Sequence, residues 1–520
     1  MISQTGHKVG RICPWITITP LPQPNGRKKL VMNQSQNPPF PPCSYQMYID
    51  GQWCNGEVSQ TIGVENPATE EIVATVPAGT ASDANRALEA AKRAQRQWAS
   101  FPPIERAKLL HKLADAILSE RDRLARTVTL EQGKPLKEAL GEIGATENFI
   151  RYAAESARRI EGDITPSDNP NEEIWIRRVP YGVVVALTAW NYPSALVARK
   201  IGPALIAGNT VVVKGHECTP LSGLELARLA EGAGFPKGVL NVVTGTGRTV
   251  GKALTVSPLT DLVTMTGSVR AGKEIYRAAA EKLGVLRLEL GGKAPFVVME
   301  DADLTNAVEA AVTARFTNCG QICTCNERMY VHEKIADDFL DRFVARVRAL
   351  TIGDPMQDFD MGPKISRAEV EKVEALVNEA IAGGADVLLG GKRLHDRQFS
   401  KGYWFEPTVL TALKNDAPIF QKEIFGPVVP VLRFRDFEQA INYANETEYG
   451  LSAFIFTNDL RRIMNLSRNL QFGEVYVNRP NGELIQGFHN GWRHSGLGGE
   501  DGKYGLDGYF RKQTTYVNFA

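Results

Sequence analysis

The pattern of apolar and polar positions divides the chain into a helical part and a longer part in which strands and helices alternate. Over residues 81–160, apolar side chains recur every three or four positions among Ala, Leu, Arg and Glu, which predicts amphipathic helices. Residues 174–176 form a short β-prone run, and the continuous apolar run 181–187 predicts a buried strand. The change from a helical period to unbroken apolar runs indicates the start of a sheet.

Further strands and helices alternate from there towards the C-terminus. Apolar runs typical of buried strands occur at 211–213, 239–243, 261–265, 294–299, 329–331, 386–389, 431–434 and 452–456. Segments with helical spacing lie between them, at 221–232, 249–255, 270–283, 303–317, 334–350 and 366–383. Short apolar strands separated by helices predict parallel sheets covered on both faces. We therefore predict an α/β protein with two such blocks, the second beginning near Ala294.

Residues 1–44 differ in composition from the rest of the chain. They contain five Lys and Arg residues, no Asp or Glu, and several prolines. We expect a disordered tail, or an upstream start with Met32 as the true first residue, and ordered structure from Tyr45 onward. A targeting segment is the alternative because transit peptides are basic and poor in acids, but no amphipathic helix supports it.

Composition limits the class of protein. A chain of 520 residues is too long for one compact core, which predicts two or three domains. The net charge of +1 gives no reason to expect nucleic acid or an anionic membrane as a partner. No apolar run approaches the ~20 residues that span a bilayer. The seven cysteines do not suggest a secreted disulfide framework, so we expect a cytoplasmic enzyme.

Three loops follow predicted strands in the first block, at 214–217, 245–247 and 266–268. In an open parallel sheet, ligands bind outside the carboxyl ends of the strands. Glycine there lets a phosphate approach the backbone, and a serine at a helix N-terminus supplies a donor. Each loop alone is more often a plain turn, and the glycine spacing after residue 245 is not the usual dinucleotide fingerprint. Together the three loops predict a nucleotide site.

Lys214 and Glu217 suit the hydroxyls of a ribose. A carboxylate at this place repels a 2′-phosphate, which favours NAD over NADP. His216 lies between them and, if protonated, would weaken that repulsion, so NADP remains an alternative.

Three side chains are candidates for the chemistry. Cys323 carries a thiol, the strongest nucleophile among neutral side chains at physiological pH. The amide of Asn191, just after a predicted strand, would donate to a developing oxyanion. Glu289 has apolar neighbours, which raise a carboxyl pKa towards that of a general base. The alternatives are a turn residue for Asn191 and a paired structural carboxylate for Glu289.

Two further cysteines, Cys319 and Cys325, lie close to Cys323 in the sequence. No second pair of Cys or His ligands is near, so we expect no metal site. We expect Cys319 to lie in the core on a helix. Cys325 would form a disulfide with Cys323 only under oxidation.

The chain resembles the aldehyde dehydrogenases from about Tyr45 to Ala520. The matching segments are Trp190-Asn191-Tyr192-Pro193, Glu289-Leu290-Gly291-Gly292-Lys293, Gly320-Gln321-Ile322-Cys323 and Glu423-Ile424-Phe425-Gly426-Pro427. The resemblance implies a Rossmann-like cofactor domain, an α/β catalytic domain and a β oligomerisation segment. The implied bounds are 45–162 and 181–290 for the cofactor domain, 163–180 and 507–520 for the β segment, 291–490 for the catalytic domain, and 491–506 for a loop returning towards the cofactor domain. A homodimer or homotetramer is expected, because exposed edge strands need a partner.

The resemblance also implies roles for residues. Cys323 would attack the aldehyde to give a thiohemiacetal, Asn191 and the Cys323 backbone amide would hold the oxyanion, and hydride transfer to NAD would leave a thioester. Glu289 would activate the water that hydrolyses it. The implied cofactor contacts are Thr188, Lys214, Glu217, Thr266, Gly267, Ser268, Leu290, Glu423 and Phe425.

Arg199, His489 and Thr324 are the implied substrate contacts. Arg199 and His489 make the chain similar to the lactaldehyde and glycolaldehyde branch of the family, which predicts small hydroxyaldehydes such as (S)-lactaldehyde or glycolaldehyde as substrates. Both side chains would donate to a 2-hydroxyl or a product carboxylate. The alternative is that Arg199 pairs with an acid and His489 packs under Trp492. Rival functions are oxidation of succinate semialdehyde or a sugar-derived aldehyde, a CoA-acylating reaction, and a non-catalytic binding protein.

Overall fold

The computed structural model describes residues 43–520. The expectation for residues 1–42 therefore lies outside the described part of the chain. Within the described residues, Cys43–Ser44 already form a short strand that pairs with Ala74 and Thr75, although ordered structure was predicted only from Tyr45 onward. The chain turns at Asp50 and Gly51, where both residues have a positive φ.

The strands and helices are numbered in chain order. The strands are β1 Cys43–Ser44, β2 Met47–Ile49, β3 Gln52–Cys54, β4 Thr61–Asn66, β5 Glu71–Pro77, β6 Asp163–Pro166, β7 Glu172–Pro180, β8 Val183–Leu187, β9 Thr210–Lys214, β10 Leu240–Val243, β11 Leu262–Thr266, β12 Val285–Glu289, β13 Ala294–Val298, β14 Asn326–His332, β15 Asp386–Leu389, β16 Thr408–Thr411, β17 Val428–Phe434, β18 Ser452–Phe456, β19 Glu474–Val477, β20 Gly496–Leu497 and β21 Phe510–Asn518. The helices are α1 Ala81–Ser100, α2 Pro103–Ser119, α3 Arg121–Gln132, α4 Leu136–Glu155, α5 Pro193–Ile206, α6 Leu221–Ala233, α7 Lys252–Val256, α8 Val269–Ala280, α9 Leu304–Phe316, α10 Ala336–Arg348, α11 Arg367–Ala382, α12 Pro418–Gln421, α13 Phe437–Asn445, α14 Leu460–Asn469 and α15 Gly502–Asp507.

Two large sheets form the framework. The first has the order β20-β12-β11-β8-β9-β10-β2-β3, and its five central strands run parallel. The second has the order β15-β16-β17-β14-β13-β18-β19 and is parallel except for β15. The predicted α/β class with two parallel blocks is confirmed.

Unbroken apolar strands form the centre of the first sheet because both of its faces are covered. Val184 and Val213 belong to one hydrophobic cluster, which packs against helices α2 to α6. Their neighbours Val183 and Val212 point to the opposite face and pack with α1, α7 and α8. Alternate side chains of one strand therefore enter two different cores, as the period of a strand requires.

A separate three-stranded antiparallel sheet has the order β21-β7-β6. It consists of parts of 163–180 and 507–520. Ile164 and Tyr516, on its outer strands, are 73% and 68% exposed. Exposed apolar residues on an unpaired sheet favour association with another chain.

Several elements were not predicted, among them the β4–β5 hairpin and strands β12, β16 and β19. The residue range 249–255 is not one helix: a single turn of π-helix at Gly247–Gly251 precedes α7. In the described part of the chain, no helix combines the length and the apolar character that a membrane span requires.

Candidate active site

A cavity of about 1580 Å³ opens at the carboxyl ends of β8, β9, β11 and β12. All the predicted site residues line it: Thr188, Asn191, Arg199, Lys214, Glu217, Thr266, Gly267, Ser268, Glu289, Leu290, Cys323, Thr324, Glu423, Phe425 and His489. Residues distant in sequence meet here because parallel strands place their C-terminal loops along one edge.

Cys323 follows a tight turn, Thr317–Gly320, at the end of α9. Asn318, Cys319 and Gly320 have φ values of 51°, 56° and 70°. This left-handed run stops the helix and turns the chain towards the cavity. Cys319 is buried as expected, but it lies in this turn and not on the helix, because α9 already ends at Phe316.

Two effects act in opposite directions on the pKa of the Cys323 thiol. Burial raises its pKa, and a hydrogen bond with His489 acts in the opposite direction. A Cβ on Gly292 would lie 2.1 Å from the Cys323 carbonyl oxygen, so only glycine permits this close approach. Among the described residues, no group of three His, Cys, Asp or Glu side chains is arranged to hold a metal ion.

Asn191 lies in the loop between β8 and α5 and is 6% exposed. Its side-chain Nδ2 donates to the carbonyl oxygen of Gln321 over 3.0 Å. The side-chain amide is thus directed at the loop that bears Cys323, where a substrate oxyanion would form between it and the Cys323 backbone amide.

Glu289 ends β12 and is 3% exposed. Burial raises the pKa of Glu289 to about 8, against the lowering effect of nearby His489. Among the described residues, neither carboxylate oxygen of Glu289 has a hydrogen-bond partner. A buried carboxyl group without a partner is free to accept a proton from water, as a general base must.

Arg199, Glu483 and His489 form a polar wall beside Cys323. The Arg199 guanidinium makes a two-point contact with Asp501, lies 3.4 Å from Glu483 Oε1 and 3.5 Å from Glu500 Oε2. Arg199 therefore pairs with acids, as the alternative interpretation expected, and is not free to donate mainly to a substrate.

His489 is 2% exposed and faces two carboxyl groups. Its Nε2 lies 3.6 Å from Glu289 Oε2, and its Nδ1 lies 3.2 Å from Glu474 Oε1. Trp492, under which His489 was alternatively expected to pack, donates to Asn490 and is half-exposed.

Glu483 and Glu474 were not predicted from the sequence, because an isolated acid in a loop or on an edge strand carries no local signal of its partner.

The nucleotide end of the cavity has groups that fit a dinucleotide. Lys214 Nζ lies 3.3 Å from Glu217 Oε2, so the ammonium and the carboxylate stand together at the end of β9. Ser268 accepts a hydrogen bond from the Ala271 amide and begins α8. Thr266 Oγ1 is buried and has no hydrogen-bond partner among the described residues. A hydroxyl and a helix N-terminus beside the Lys214–Glu217 pair have the chemistry to bind a pyrophosphate.

His216 lies half-buried beside these groups, and its removal from water lowers its pKa to about 4. Its Nδ1 accepts from the Cys218 amide over 3.2 Å. The imidazole is therefore neutral near pH 7. A neutral His216 does not weaken the repulsion between Glu217 and a 2′-phosphate, as a protonated one would.

Glu423 and Phe425 lie in a loop held by a buried charge network. The amides of Ile424 and Phe425 donate to Glu327 over 2.7 and 2.8 Å. Glu327 also pairs with Lys293 over 2.8 Å. The Glu423 carboxylate accepts from the Gly292 amide, and the Phe425 ring meets Trp190 edge to face with centroids 5.3 Å apart. This loop is thereby fixed across the cavity from the nucleotide loops.

Comparison with known proteins agrees with this geometry. Residues 53–515 match the sequence profile of the aldehyde dehydrogenase family. The 3,6-anhydro-alpha-L-galactose dehydrogenase of Vibrio sp. strain EJY3 is 52% identical over 476 residues, which cover 91% of this chain and 99% of that protein. The lactaldehyde dehydrogenase of Escherichia coli strain K12 is 43% identical over 478 residues, covering 92% and 99%.

Among solved structures, that of a 3,6-anhydro-L-galactose dehydrogenase in complex with NAP, an abbreviation of NADP, superposes with a TM-score of 0.90. It has 52% identity and covers 91% of this chain and 100% of that one. The chain therefore belongs to the aldehyde dehydrogenase family.

Proposed function

We propose that this aldehyde dehydrogenase oxidises 2-hydroxyaldehydes to carboxylic acids through a covalent intermediate on Cys323. The observation that carries the proposal is the convergence of Cys323, Asn191 and Glu289 on one cavity whose other end fits a dinucleotide. A nucleophile, an oxyanion donor and a buried base are the groups that acyl transfer through a thioester requires.

The positions of these groups support the following reaction. The Cys323 thiolate bonds to the aldehyde carbon, and the oxygen gains negative charge that the Asn191 amide and the Cys323 backbone amide stabilise. A bound NAD or NADP supplies the acceptor for the hydride that leaves this carbon. Glu289 then takes a proton from water as it attacks the resulting thioester, which releases the acid and expels the Cys323 thiolate.

The polar wall supports a hydroxylated substrate. Glu483 reaches the cavity and offers a carboxylate to which substrate hydroxyls can donate, while Arg199 holds that carboxylate in place. His489 is the second polar group beside Cys323. Plain alkyl aldehydes have no hydroxyl to donate to the Glu483 carboxylate, which disfavours them.

The chemistry of the relatives' substrates supports the same class. Lactaldehyde carries a hydroxyl on the carbon next to the aldehyde, and so does open-chain 3,6-anhydrogalactose. A sugar-derived aldehyde is the second candidate beside lactaldehyde and glycolaldehyde, because the relative that acts on one is 52% identical. Succinate semialdehyde fits less well. Its distant carboxylate needs a free cation, and Arg199 already faces three acids.

For the cofactor we propose NAD in preference to NADP. The carboxylate of Glu217 lies where it would repel a 2′-phosphate, and its neighbour His216 is neutral. NADP remains the alternative because the structure of a relative contains it.

The assembly and domain bounds are proposals as well. We propose that β6, β7 and β21 pair with another copy of the chain, giving a homodimer or homotetramer, and that the enzyme is cytoplasmic. The domain bounds remain those implied by the resemblance. Light scattering after size-exclusion chromatography tests the oligomer, and a monomer at micromolar concentration would contradict it.

The substrate proposal is tested by kcat/KM for lactaldehyde, glycolaldehyde, 3,6-anhydrogalactose, propanal and succinate semialdehyde, each with NAD and NADP. We expect the three hydroxyaldehydes to exceed propanal by at least about tenfold, since one unpaired buried polar group costs about 1–3 kcal/mol. A preference for propanal or the semialdehyde would contradict it.

A further inference from the structure

The backbone carbonyl of Asn191 accepts hydrogen bonds from two buried side chains that come from different parts of the chain. Lys134 Nζ donates to it over 2.8 Å, and Asn318 Nδ2 donates over 3.0 Å. Lys134 and Asn318 are both 1% exposed, and neither lines the cavity. Both side chains therefore contact Asn191, which lines the cavity, but neither lines the cavity itself.

Lys134 is held by Glu142 on α4. Its Nζ also donates to Glu142 Oε2 over 2.6 Å, and neither side chain has solvent exposure. The other oxygen, Glu142 Oε1, accepts from the amides of Ser194 and Ala195 over 2.8 and 3.2 Å. These are free amides in the first turn of α5, where Tyr192 gives no side-chain cap. Glu142 therefore caps the helix that follows Asn191 and anchors Lys134 beneath it.

Asn318 connects the same place to the nucleophile loop. Its backbone is left-handed, with φ 51°, in the turn that leads to Cys323. Its Nδ2 also lies 3.4 Å from the Gln321 carbonyl oxygen, which accepts from the Asn191 side chain as well. Gln132 donates to Asn318 Oδ1 over 3.0 Å. Asn318 thus lies between the loop of Asn191 and the loop of Cys323 and bonds to both.

Three of these contacts originate in the short segment 132–142, which contains the end of α3, the connecting residues 133–135 and the first turns of α4. Gln132 and Lys134 reach the two loops directly, and Glu142 reaches α5. A buried lysine is costly, and apolar residues in place of a buried ion pair are often neutral or stabilising. Stability alone therefore does not explain a buried ammonium at this position, whereas a fixed donor to the Asn191 carbonyl does.

Building on the proposed role of Asn191 as oxyanion donor, we propose that Lys134 and Asn318 are positioning residues that fix the Asn191 amide relative to Cys323. Two donors on one carbonyl restrict rotation of the Asn191 backbone, from which the side-chain amide projects. A shift of about 1 Å in such a group costs about 100-fold in rate. The effect falls on addition of the Cys323 thiolate to the aldehyde, where the oxyanion forms and which precedes hydride transfer, and not on cofactor binding.

The test measures the rapid burst of reduced cofactor with lactaldehyde for the wild-type enzyme and for Asn191→Ala, Lys134→Met, Asn318→Gly and the double variant Lys134→Met/Asn191→Ala. Glycine at 318 tolerates the left-handed backbone while removing both donors. Arg123→Met is the matched control, because it removes a buried cation from the pair with Glu225, away from the cavity. Asn318→Gly carries the test if Lys134→Met does not fold.

We expect Lys134→Met and Asn318→Gly to slow the burst about 10- to 100-fold. The cofactor Kd and the rate of Cys323 alkylation by iodoacetamide, which needs no oxyanion donor, should stay within about twofold. The double variant should be no more than about twofold slower than Asn191→Ala, because residues acting through one group do not add. Arg123→Met should leave the burst unchanged.

The inference is overturned if the Lys134→Met and Asn191→Ala effects multiply, or if both Lys134→Met and Asn318→Gly keep the wild-type burst. If Asn191→Ala itself keeps the wild-type burst, the proposed role of Asn191 fails first. The two failures are therefore distinguishable.

Discussion

His489 Nε2 lies 3.6 Å from Glu289 Oε2, and both side chains are almost completely buried. The pKa of Glu289 is raised by burial to about 8. The pKa of His489 also stands well above its usual value: burial and Arg199 act to lower it, but Glu474 and Cys323 outweigh them. The two side chains lie close enough for the charge of each to affect the pKa of the other, so their titrations are coupled.

The first prediction concerns pH. Glu289 must be ionised to take a proton from water, so the rate of thioester hydrolysis should rise with pH through about 8 and level off above it. His489→Asn removes a group that lowers the Glu289 pKa, so the midpoint should move to higher pH. Steady-state kcat between pH 6 and 10 measures this. His494→Asn, a half-exposed histidine outside the cavity, is the control. A midpoint that moves down with His489→Asn would contradict the assignment.

The second prediction concerns the nucleophile. Cys323→Ala should abolish oxidation of aldehyde while NAD still binds, since Cys323 supplies the bond to the substrate and not the cofactor pocket. Activity assay and cofactor fluorescence titration measure the two properties. Cys54→Ala, a half-buried free cysteine away from the cavity, should retain full activity. Turnover by Cys323→Ala would refute the assignment.

The third prediction concerns the polar wall. Glu483→Gln should reduce kcat/KM for lactaldehyde about 10-fold and for propanal by much less, because only the first substrate donates a hydroxyl to this position. Equal losses for both aldehydes would show that Glu483 has no role in substrate specificity.

Arg199→Leu is expected to affect stability. It leaves Asp501 and Glu483 without their cation, which should cost about 3–5 kcal/mol in the free energy of unfolding.

The fourth prediction concerns the cofactor. Glu217→Gln removes the charge that repels a 2′-phosphate and frees Lys214, 3.3 Å away. The ratio of kcat/KM for NADP over NAD should rise about tenfold, equivalent to about 1.4 kcal/mol. An unchanged ratio would mean that Glu217 does not select the cofactor.

Much of the fold could be predicted because apolar runs such as Val211 to Val213 report burial on both faces of a sheet without reference to the rest of the chain. Strand β12 escaped prediction for a specific reason. Arg287 and Glu289 are polar positions in a buried strand, and the Arg287 guanidinium lies over the Tyr509 ring, 5.2 Å from its centroid. A local pattern cannot contain a partner more than 200 residues away.

In the site too, local motifs identify some residues, whereas their partners come from distant parts of the chain. The family motifs located Cys323, Asn191 and Glu289, but the partners that set their behaviour are distant in the sequence. Arg199, predicted as a substrate contact, also meets Asp501 302 positions later, a partner that no local pattern could indicate. In the sequence, Lys134 is only a lysine that precedes a proline. Its proposed role is indicated by its contact with Asn191, which the structure shows.

The central claim is that Cys323 carries the acyl group and that Glu289 directs its hydrolysis. Glu289→Gln incubated with NAD and lactaldehyde should give one rapid burst of NADH and then a steady-state rate about 10²–10⁴-fold below wild type. Mass spectrometry of the quenched protein should find the lactoyl group on the peptide that contains Cys323. An unmodified Cys323 together with undiminished steady-state turnover would contradict the account.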